Sequence, residues 1–263
     1  CVCPFHDDHK PSMSVVPAKQ IYHCFSCGAG GNALDFVINF FKMDFREALK
    51  FLADRAGLEL TPWKPQTNAG SGGAVVVEES RSSRAQLFEA AAFAHDFFRA
   101  ILRHPEHGTA ARETIATRAI APQMVEEFGL GASPDRWDGL ERTIAAKNLD
   151  PAPFITLGLL KRRENASGAY DALRHRLIFP IHDQIGRVIG FGGRKMREED
   201  EPKYLNSPES PLFDKGKNLY GLHLARKAIQ DAHTAIVTEG YTDVIACHQH
   251  GVRNVVATLG TAL

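Results

Sequence analysis

The chain contains 263 residues, of which 44% are hydrophobic and 9% are aromatic. This length is sufficient for two or three domains, and the composition is ordinary for globular proteins with a buried core. No run of eighteen apolar residues is present, so the sequence predicts no membrane-spanning helix and no membrane partner. Lys and Arg number 31, as do Asp and Glu, so bulk charge gives no indication of a nucleic-acid partner.

The distribution of charge is less even than the total. Between Lys161 and Lys227 the sequence contains 14 Lys or Arg residues against 9 Asp or Glu residues. Such a local excess is consistent with a surface that faces a polyanion. An ordinary solvated face explains the same charges equally well, so the charge pattern alone leaves both interpretations open.

The amino-terminal segment indicates a cytoplasmic protein with a metal site. It opens with CVCPFH, with neither an initiator Met nor a basic segment followed by an apolar stretch, so we expect a cytoplasmic chain trimmed at its start. Four of the five cysteines lie within the first 27 residues, and this clustering favours metal binding over disulfides. The cysteines are Cys1, Cys3, Cys24, Cys27 and Cys247.

The spacing C-x2-H-x17-C-x2-C predicts one structural zinc ion per chain. Two short knuckles that each present two ligands can close a tetrahedron with no open position. Cys1 is an alternative to Cys3, and two other histidines, His9 and His23, lie close to His6 in the sequence. Only one set repeats the x2 knuckle, and it consists of Cys3, His6, Cys24 and Cys27.

Residues 1–60 are predicted to form one compact unit. Apolar strands are expected at 13–16 and 20–23, followed by a helix that ends at Gly57. Asp44, with Glu47 three residues later, has the spacing of a capping box for this helix. Residues 61–84, rich in Pro, Gly, Ser and Thr, are predicted to be a flexible linker.

Helical patterns follow at 85–102, 109–117 and 123–128, and strands follow those helices. Apolar runs at 177–181 and 187–191, with a short polar segment between them, predict a β-hairpin. The last thirty residues alternate strand, helix and strand, which predicts a parallel βαβ unit. We therefore expect a multidomain α+β and α/β fold.

The segment that contains the proposed zinc ligands resembles a known family. Residues 3–37, CPFHDDHKPSMSVVPAKQIYHCFSCGAGGNALDFV, are similar to the zinc-binding domain of bacterial DnaG-type primases. In that family the domain contacts the single-stranded DNA template. The resemblance therefore implies that the domain contacts DNA through Lys10, Lys19, Tyr22 and Phe25. For Phe25, packing beside the zinc is an equally good explanation.

A second block resembles the RNA-polymerase domain of the same primases. It comprises RHRLIFPIHDQIGRVIGFGGRK from Arg174 and PKYLNSPESPLFDKGKNLYGL from Pro202. The cations in and beside this block are suited to gripping phosphates. The resemblance, which includes a weaker motif around Arg118, implies nucleic-acid or nucleotide contacts from Arg118, Arg174, Arg176, Arg194, Lys203, Tyr204, Asn206 and Lys215.

A third block, VTEGYTDVIACHQHGVRNVVATLGTAL from Val237, resembles the opening of a Toprim domain, a Rossmann-like α/β module. Carboxylates at the carboxyl end of a parallel strand lie where such sheets bind ligands. The resemblance implies catalytic roles for Glu239 and Asp243, and a Mg²⁺ or Mn²⁺ ion held with a later Asp-x-Asp pair. The sequence contains no Asp-x-Asp, so we expect an incomplete metal site and no activity from this chain alone.

The resemblance implies a DNA primase with domains at 1–60 (zinc ribbon), 61–84 (linker), 85–233 (polymerase domain) and 234–263 (start of Toprim). It implies synthesis of RNA primers from NTPs on single-stranded DNA at the replication fork on the nucleoid. The replicative helicase would bind through a carboxyl-terminal domain absent from this chain. One alternative is a zinc-dependent single-stranded-DNA-binding fragment without polymerase activity, and another is a Toprim nuclease or topoisomerase.

Overall fold

The computed structural model describes residues 1–41, 43, 45–58, 75–163 and 168–260, and for 75–83 it describes the backbone alone. The chain divides into two compact units, Cys1–Val75 and Val76–Leu263. Asp44, the proposed cap, and residues 59–74, most of the proposed linker, lie outside the described residues. Within the described ranges, no helix has the length and apolar content required to cross a membrane.

The smaller unit is a three-stranded antiparallel sheet followed by two helices. Its elements are β1 Met13–Val16, β2 Ile21–Cys24, β3 Gly30–Asn32, α1 Ala33–Phe41 and α2 Phe45–Ala56. The expected β-ribbon is confirmed, with the second strand one residue later than predicted. The start of α1 is capped reciprocally, because the Asn32 side chain accepts the Asp35 N–H and the Asp35 carboxylate accepts the Asn32 N–H.

The first helix of the larger unit begins earlier than the sequence analysis predicted. Helix α3 spans Val75–Arg103, so residues 75–84, which were predicted to belong to a flexible linker, are helical. The physical reason is the location of the helix breakers. Gly and Pro are frequent between 62 and 73 but absent from 74–104, and Gly and Pro are the residues that interrupt helices most strongly.

The rest of the larger unit alternates short helices and strands. In chain order these are α4 Thr109–Thr117, α5 Pro122–Glu127, β4 Gly131–Ala132, α6 Gly139–Ala146, α7 Ala152–Thr156, β5 Leu160–Arg162, β6 Ala169–Asp171, β7 Arg176–His182, β8 Val188–Lys195, β9 Tyr204–Asn206, α8 Leu222–Ala232, β10 Ile236–Thr238, α9 Tyr241–Gln249 and β11 Val255–Ala257. The helices expected after α3 and the hairpin β7–β8 are confirmed.

An antiparallel sheet of order β4-β7-β8-β9 lies at the centre of this unit. The first six residues of β7 are buried, because both faces of the strand are covered. Phe98 of α3 packs edge-on against Phe191 of β8, with ring centroids 5.3 Å apart. The hydrophobic core therefore joins the long helix to the sheet.

The expected parallel βαβ unit is also confirmed. Strand β10 pairs with β11 in parallel, and α9 connects the two strands. Tyr220, just before α8, forms two backbone hydrogen bonds with Ala257 of β11. This bridge ties the carboxyl-terminal strands to the segment that follows the central sheet.

Three buried or half-buried histidines meet where α3, β7 and α8 pack together. The ring of His182 lies 4.2 Å from that of His223 and 6.1 Å from that of His95, centroid to centroid. Burial, followed by the neighbouring imidazoles, lowers the pKa of His182 to about 3. Burial lowers the pKa of His223 to about 4, although Asp183 opposes the shift. The folded state therefore favours neutral rings here.

This cluster predicts that acid weakens the larger unit. An unfolded His has a pKa of about 6.5, so below that pH the unfolded chain binds protons that the folded chain does not. The free energy of unfolding should therefore decrease as the pH falls from 6.5 towards 4. Urea unfolding of a Trp63→Phe variant, followed by Trp137 fluorescence, measures this. His182→Phe should flatten the decline, whereas His233→Asn on the exposed surface should not; equal slopes would contradict the prediction.

Candidate zinc centre and basic cleft

The four predicted zinc ligands converge in the smaller unit. One ligand atom from each of Cys3, His6, Cys24 and Cys27 lies within 4.8 Å of the others. The Sγ atoms of Cys3 and Cys27 are 3.8 Å apart, and Cys24 Sγ is 3.9 Å from His6 Nδ1. Such separations are the edges of a tetrahedron with metal–ligand distances of about 2.0–2.3 Å. The donor set and its geometry therefore fit zinc.

A carboxylate and a hydroxyl lie beside this centre, and neither was predicted from the sequence to have a role there. One oxygen of Asp8 accepts hydrogen bonds from the Cys3 N–H and the Ser12 hydroxyl, both at 2.6 Å. Ser12 Oγ lies 3.2 Å from Cys24 Sγ, and the second oxygen of Asp8 lies 3.8 Å from His6 Nε2. Such outer groups orient metal ligands. The polar run between His6 and Met13 was the available signal.

The thiol pKa values are consistent with a thiolate centre. Burial opposes ionisation of Cys24, but hydrogen bonds from the Cys27 N–H and Ser12 outweigh it and lower its pKa to about 6. Burial raises the pKa of Cys3 to about 11. Cys24 therefore ionises before Cys3, and the attraction of a divalent cation would promote ionisation of the Cys3 thiol.

The alternative ligands lie apart from the cluster. The Cys1 thiol lies 3.6 Å from the Met13 carbonyl oxygen, and the exposed His9 pairs with Asp7. Tyr22, expected to contact DNA, is instead buried against Phe5, because it alternates inward on β2. Phe25 is 77% exposed, so it does not pack into the core, and its role in DNA contact stays a prediction.

In the larger unit, a cleft of about 990 Å³ brings together several of the predicted site residues. Helix α4 and the turn after it, the end of β8 with the loop that leads to β9, and helix α9 form its walls. The predicted residues that line it are Arg118, Arg194, Lys203 and Asp243. Residues from distant parts of the chain thus line one polar cavity, which contains both cations and carboxylates.

Tyr204 holds one of these cations in place. The Arg194 guanidinium donates to the Tyr204 hydroxyl at 2.8 Å and lies 5.3 Å from the centroid of its ring. The two residues are directly opposite each other on β8 and β9. The Tyr204 side chain therefore orients Arg194 beside the cleft.

Arg176, which was also predicted to contact nucleic acid, is not one of the exposed cations. It is only 4% exposed, and its guanidinium donates to the carbonyl oxygens of Gly193, Glu201 and Pro202 at 2.8–3.2 Å. A buried guanidinium requires such partners. Arg176 consequently anchors the loop that forms one wall of the cleft.

Two other predicted residues have partners within the chain, and a third lies outside the cleft. Arg174 pairs with Asp135 and lies 4.4 Å from the ring centroid of Trp137, which is 55% exposed. Asn206 bonds to Tyr241 and to the Leu259 carbonyl. Lys215 is half-buried and is not among the residues that line the cleft. Trp137 was not singled out from the sequence, although a solvated Trp among arginines is a signal for stacking.

Glu239 follows β10 directly, as predicted, and is exposed. Gly240 caps α9, and a Cβ atom there would lie 2.9 Å from the Asp243 carboxylate. Asp243 is in the first turn of α9, where the positive end of the helix dipole favours a negative charge. Both carboxylates therefore lie at the carboxyl end of a parallel strand, and Asp243 faces the cleft.

The zinc centre generates a direct test. Cys24→Ser should reduce zinc from one ion per chain to well below one, because it removes a buried thiolate from a closed site. Cys247→Ser and Cys1→Ser are matched controls outside the cluster and should leave the zinc content unchanged. Metal analysis of the purified variants measures this. Normal zinc in Cys24→Ser, or zinc lost in Cys1→Ser, would contradict the assignment.

Comparisons with known protein families cover most of the chain. Residues 1–68 match a CHC2 zinc finger, 97–226 match the N-terminal domain of the DNA primase catalytic core, and 233–263 match a Toprim domain. The order of these matches is the order predicted from the sequence.

Individual relatives agree with the family models. A DNA primase of Pseudomonas aeruginosa is 42% identical over 260 residues, covering 99% of this chain and 38% of that protein. The crystal structure of the Aquifex aeolicus primase, with its zinc-binding and RNA polymerase domains, is 36% identical and has a TM-score of 0.63. It covers 100% of this chain and 60% of that one.

A DnaG primase catalytic domain bound to single-stranded DNA is also 36% identical, with a TM-score of 0.63 over 69% of this chain and 57% of that one. The chain spans about two fifths of the length of the curated relatives it matches. The zinc ribbon, the mixed α/β polymerase domain and the partial Toprim fold are all present in their expected order. The chain belongs to the DnaG-type primase family.

Proposed function

We propose that this chain is the template-binding and nucleotide-binding part of a DNA primase, which synthesises RNA primers on single-stranded DNA. The observation that carries the proposal is the cleft whose lining includes Asp243 together with Arg118, Arg194 and Lys203. A nucleotidyl transfer site requires cations for the phosphates and carboxylates for a metal, and both kinds of residue line or adjoin this cavity.

The proposed division of labour follows the two units. The zinc ribbon holds the template, with the exposed Phe25 suited to stacking on a base and Lys10 and Lys19 suited to phosphates. In the larger unit, Arg194 and Lys203 bind phosphates of the strand or of the incoming NTP. Arg174 beside Trp137 offers a further cation and an exposed ring. Residues 1–60, 85–233 and 234–263 remain the proposed zinc, polymerase and Toprim domains, with α3 extending back to Val75.

The proposed metal site uses the exposed carboxylates at the end of β10. Glu239 and Asp243 would hold Mg²⁺ or Mn²⁺, which supplies charge neutralisation at the phosphates and favours ionisation of the attacking hydroxyl. The sequence contains no Asp-x-Asp pair to complete such a site. We therefore propose that a polypeptide of these 263 residues binds single-stranded DNA without making primers.

The remaining partners follow from the proposed activity of the whole protein. NTPs and the RNA primer are its substrate and product, and the replicative helicase is the expected partner at the replication fork on the nucleoid. The second candidate function is a zinc-dependent single-stranded-DNA-binding protein. The same missing pair of carboxylates favours it for the 263-residue polypeptide alone.

Template binding predicts that the affinity for DNA depends on salt concentration and that Lys203 contributes to this dependence. The affinity of the 263-residue polypeptide for a fluorescent oligo-dT should decrease with increasing salt, because phosphate contacts release counterions. Lys203→Ala should reduce the logarithmic slope by about 0.7, as expected for one lost contact with a single strand. Fluorescence anisotropy at several salt concentrations measures both. Lys147→Ala, an exposed lysine outside the cleft, serves as the control and should keep the wild-type slope.

The catalytic assignment is tested in the complete gene product. Glu239→Gln should reduce primer synthesis by about 100-fold or more, because the metal loses a charged ligand. Binding of the template should change less than about twofold. Extension of radiolabelled primers and anisotropy measure the two quantities. Glu106→Gln on the exposed surface is the control, and normal synthesis by Glu239→Gln would exclude a catalytic role.

A further inference from the structure

Tyr241 occupies a central position between the acidic turn and the central sheet. It is the first residue of α9, directly after Glu239 and Gly240, and it is only 5% exposed. Its ring stacks on Phe179 of β7, with centroids 5.0 Å apart and planes at 11°. Tyr220 packs edge-on against it, with centroids 4.7 Å apart. The turn that carries the carboxylates is thus anchored by a buried ring.

The hydroxyl of this ring makes a specific connection to the sheet. Tyr241 Oη donates to Asn206 Oδ1 at 2.6 Å, and Asn206 Nδ2 donates to the Leu259 carbonyl at 3.1 Å. Asn206 is the last residue of β9, and Leu259 follows β11. One amide group therefore bonds both to the start of α9 and to the segment that follows β11.

A glycine on the neighbouring strand makes room for this connection. Gly192 of β8 is directly opposite Asn206 of β9. A Cβ atom at Gly192 would lie 2.5 Å from Tyr241 Oη, closer than any stable contact. The backbone of β8 consequently approaches the ring as closely as it can, and the position of α9 against the sheet has little freedom.

We propose that the Tyr241–Asn206 hydrogen bond is a positioning link that sets the separation of the two walls of the cleft. One wall contains Arg194 on β8 and Lys203, the residue just before β9. The other wall contains Asp243 in the first turn of α9, and Glu239 lies just before that helix. Asn206 then acts through Tyr241 and not by contact with a nucleotide. This inference rests on the proposed function, since the separation matters only if the walls act on one substrate.

The decisive variant removes one oxygen atom. Tyr241→Phe keeps the ring that stacks on Phe179 and loses the bond to Asn206, so the carboxylates should lose their alignment while the core stays packed. In the complete gene product we expect kcat for primer synthesis to fall about tenfold, with KM for NTPs and the template Kd within about twofold. Asn206→Ala should give a similar loss.

The double variant shows whether the two residues act as one link. Tyr241→Phe combined with Asn206→Ala should be no worse in kcat than the more damaging single variant, because both break the same bond. Tyr220→Phe is the matched control. Its hydroxyl is buried and has no partner among the described residues, so its removal should leave kcat unchanged.

Hydrogen exchange separates positioning from stability in the 263-residue polypeptide. Tyr241→Phe should accelerate amide exchange in residues 239–244 by about tenfold or more, while the slowest core amides of β7 and β8 exchange as in the wild type. A purely structural role would accelerate all of these amides together. Should Tyr241→Phe unfold, Asn206→Ala provides the same measurement from the other wall.

The results of these experiments distinguish a failure of this inference from a failure of the proposed function. Loss of kcat in both single variants, no further loss in the double variant and local acceleration of exchange support the link. Wild-type kcat in Tyr241→Phe overturns it and leaves the primase proposal intact, as does a loss that is additive in the double variant. Absence of primer synthesis by the wild-type gene product would instead overturn the proposed function.

Discussion

The antiparallel pairing of β7 with β8 is the interaction on which the larger unit depends. Strand β7 is buried along almost its whole length, so its backbone groups have no access to water and must be paired within the sheet. Strand β8 satisfies them on one side, and its glycines allow neighbouring groups to approach it closely. The long helix packs on this pair, and the βαβ unit docks against it through Tyr241.

The smaller unit differs from the larger one in the size of its buried core. Its buried cluster consists of Cys3, Met13, Tyr22 and Cys24, with a few aromatic rings around it. So small an apolar core supplies little stabilisation, and domains of this size commonly use a metal as an additional cross-link. Because two of the core residues are also ligands, metal binding and burial are coupled here. The aromatic contacts of Phe36 and the ligand geometry therefore stabilise the same fold.

Strong local patterns were sufficient to predict much of this fold. The x2 knuckles identified the four residues that converge, and two apolar runs with a polar segment between them identified the β7–β8 hairpin. Side-chain direction was harder to predict. The family resemblance and the residue types predicted that Arg176 and Tyr22 bind nucleic acid, but both side chains are buried. The burial of a strand residue depends on partners that are distant in the sequence.

Local sequence patterns did not predict the roles of Asp8 and Ser12 or the hydrogen bond between Tyr241 and Asn206, for the same reason. These groups act through contacts across strands or loops, and spacing along the chain does not encode those contacts. The helix start at Val75 was missed for a different reason, because the prediction grouped residues 75–84 with the Gly- and Pro-rich segment before them although they contain neither residue.

The buried guanidinium of Arg176 has a consequence for how the cleft responds to its surroundings. Exposed cations such as Lys203 attract phosphates through a field that mobile ions weaken within about 10 Å at 0.1 M salt. Arg176 is shielded from those ions and bonds to neutral carbonyl oxygens, so its grip on the loop is insensitive to ionic strength. A rise in salt concentration would therefore weaken the attraction between Lys203 and a phosphate more than it weakens the bonds between Arg176 and this loop. Part of the cleft wall is thus held by contacts that mobile ions do not weaken.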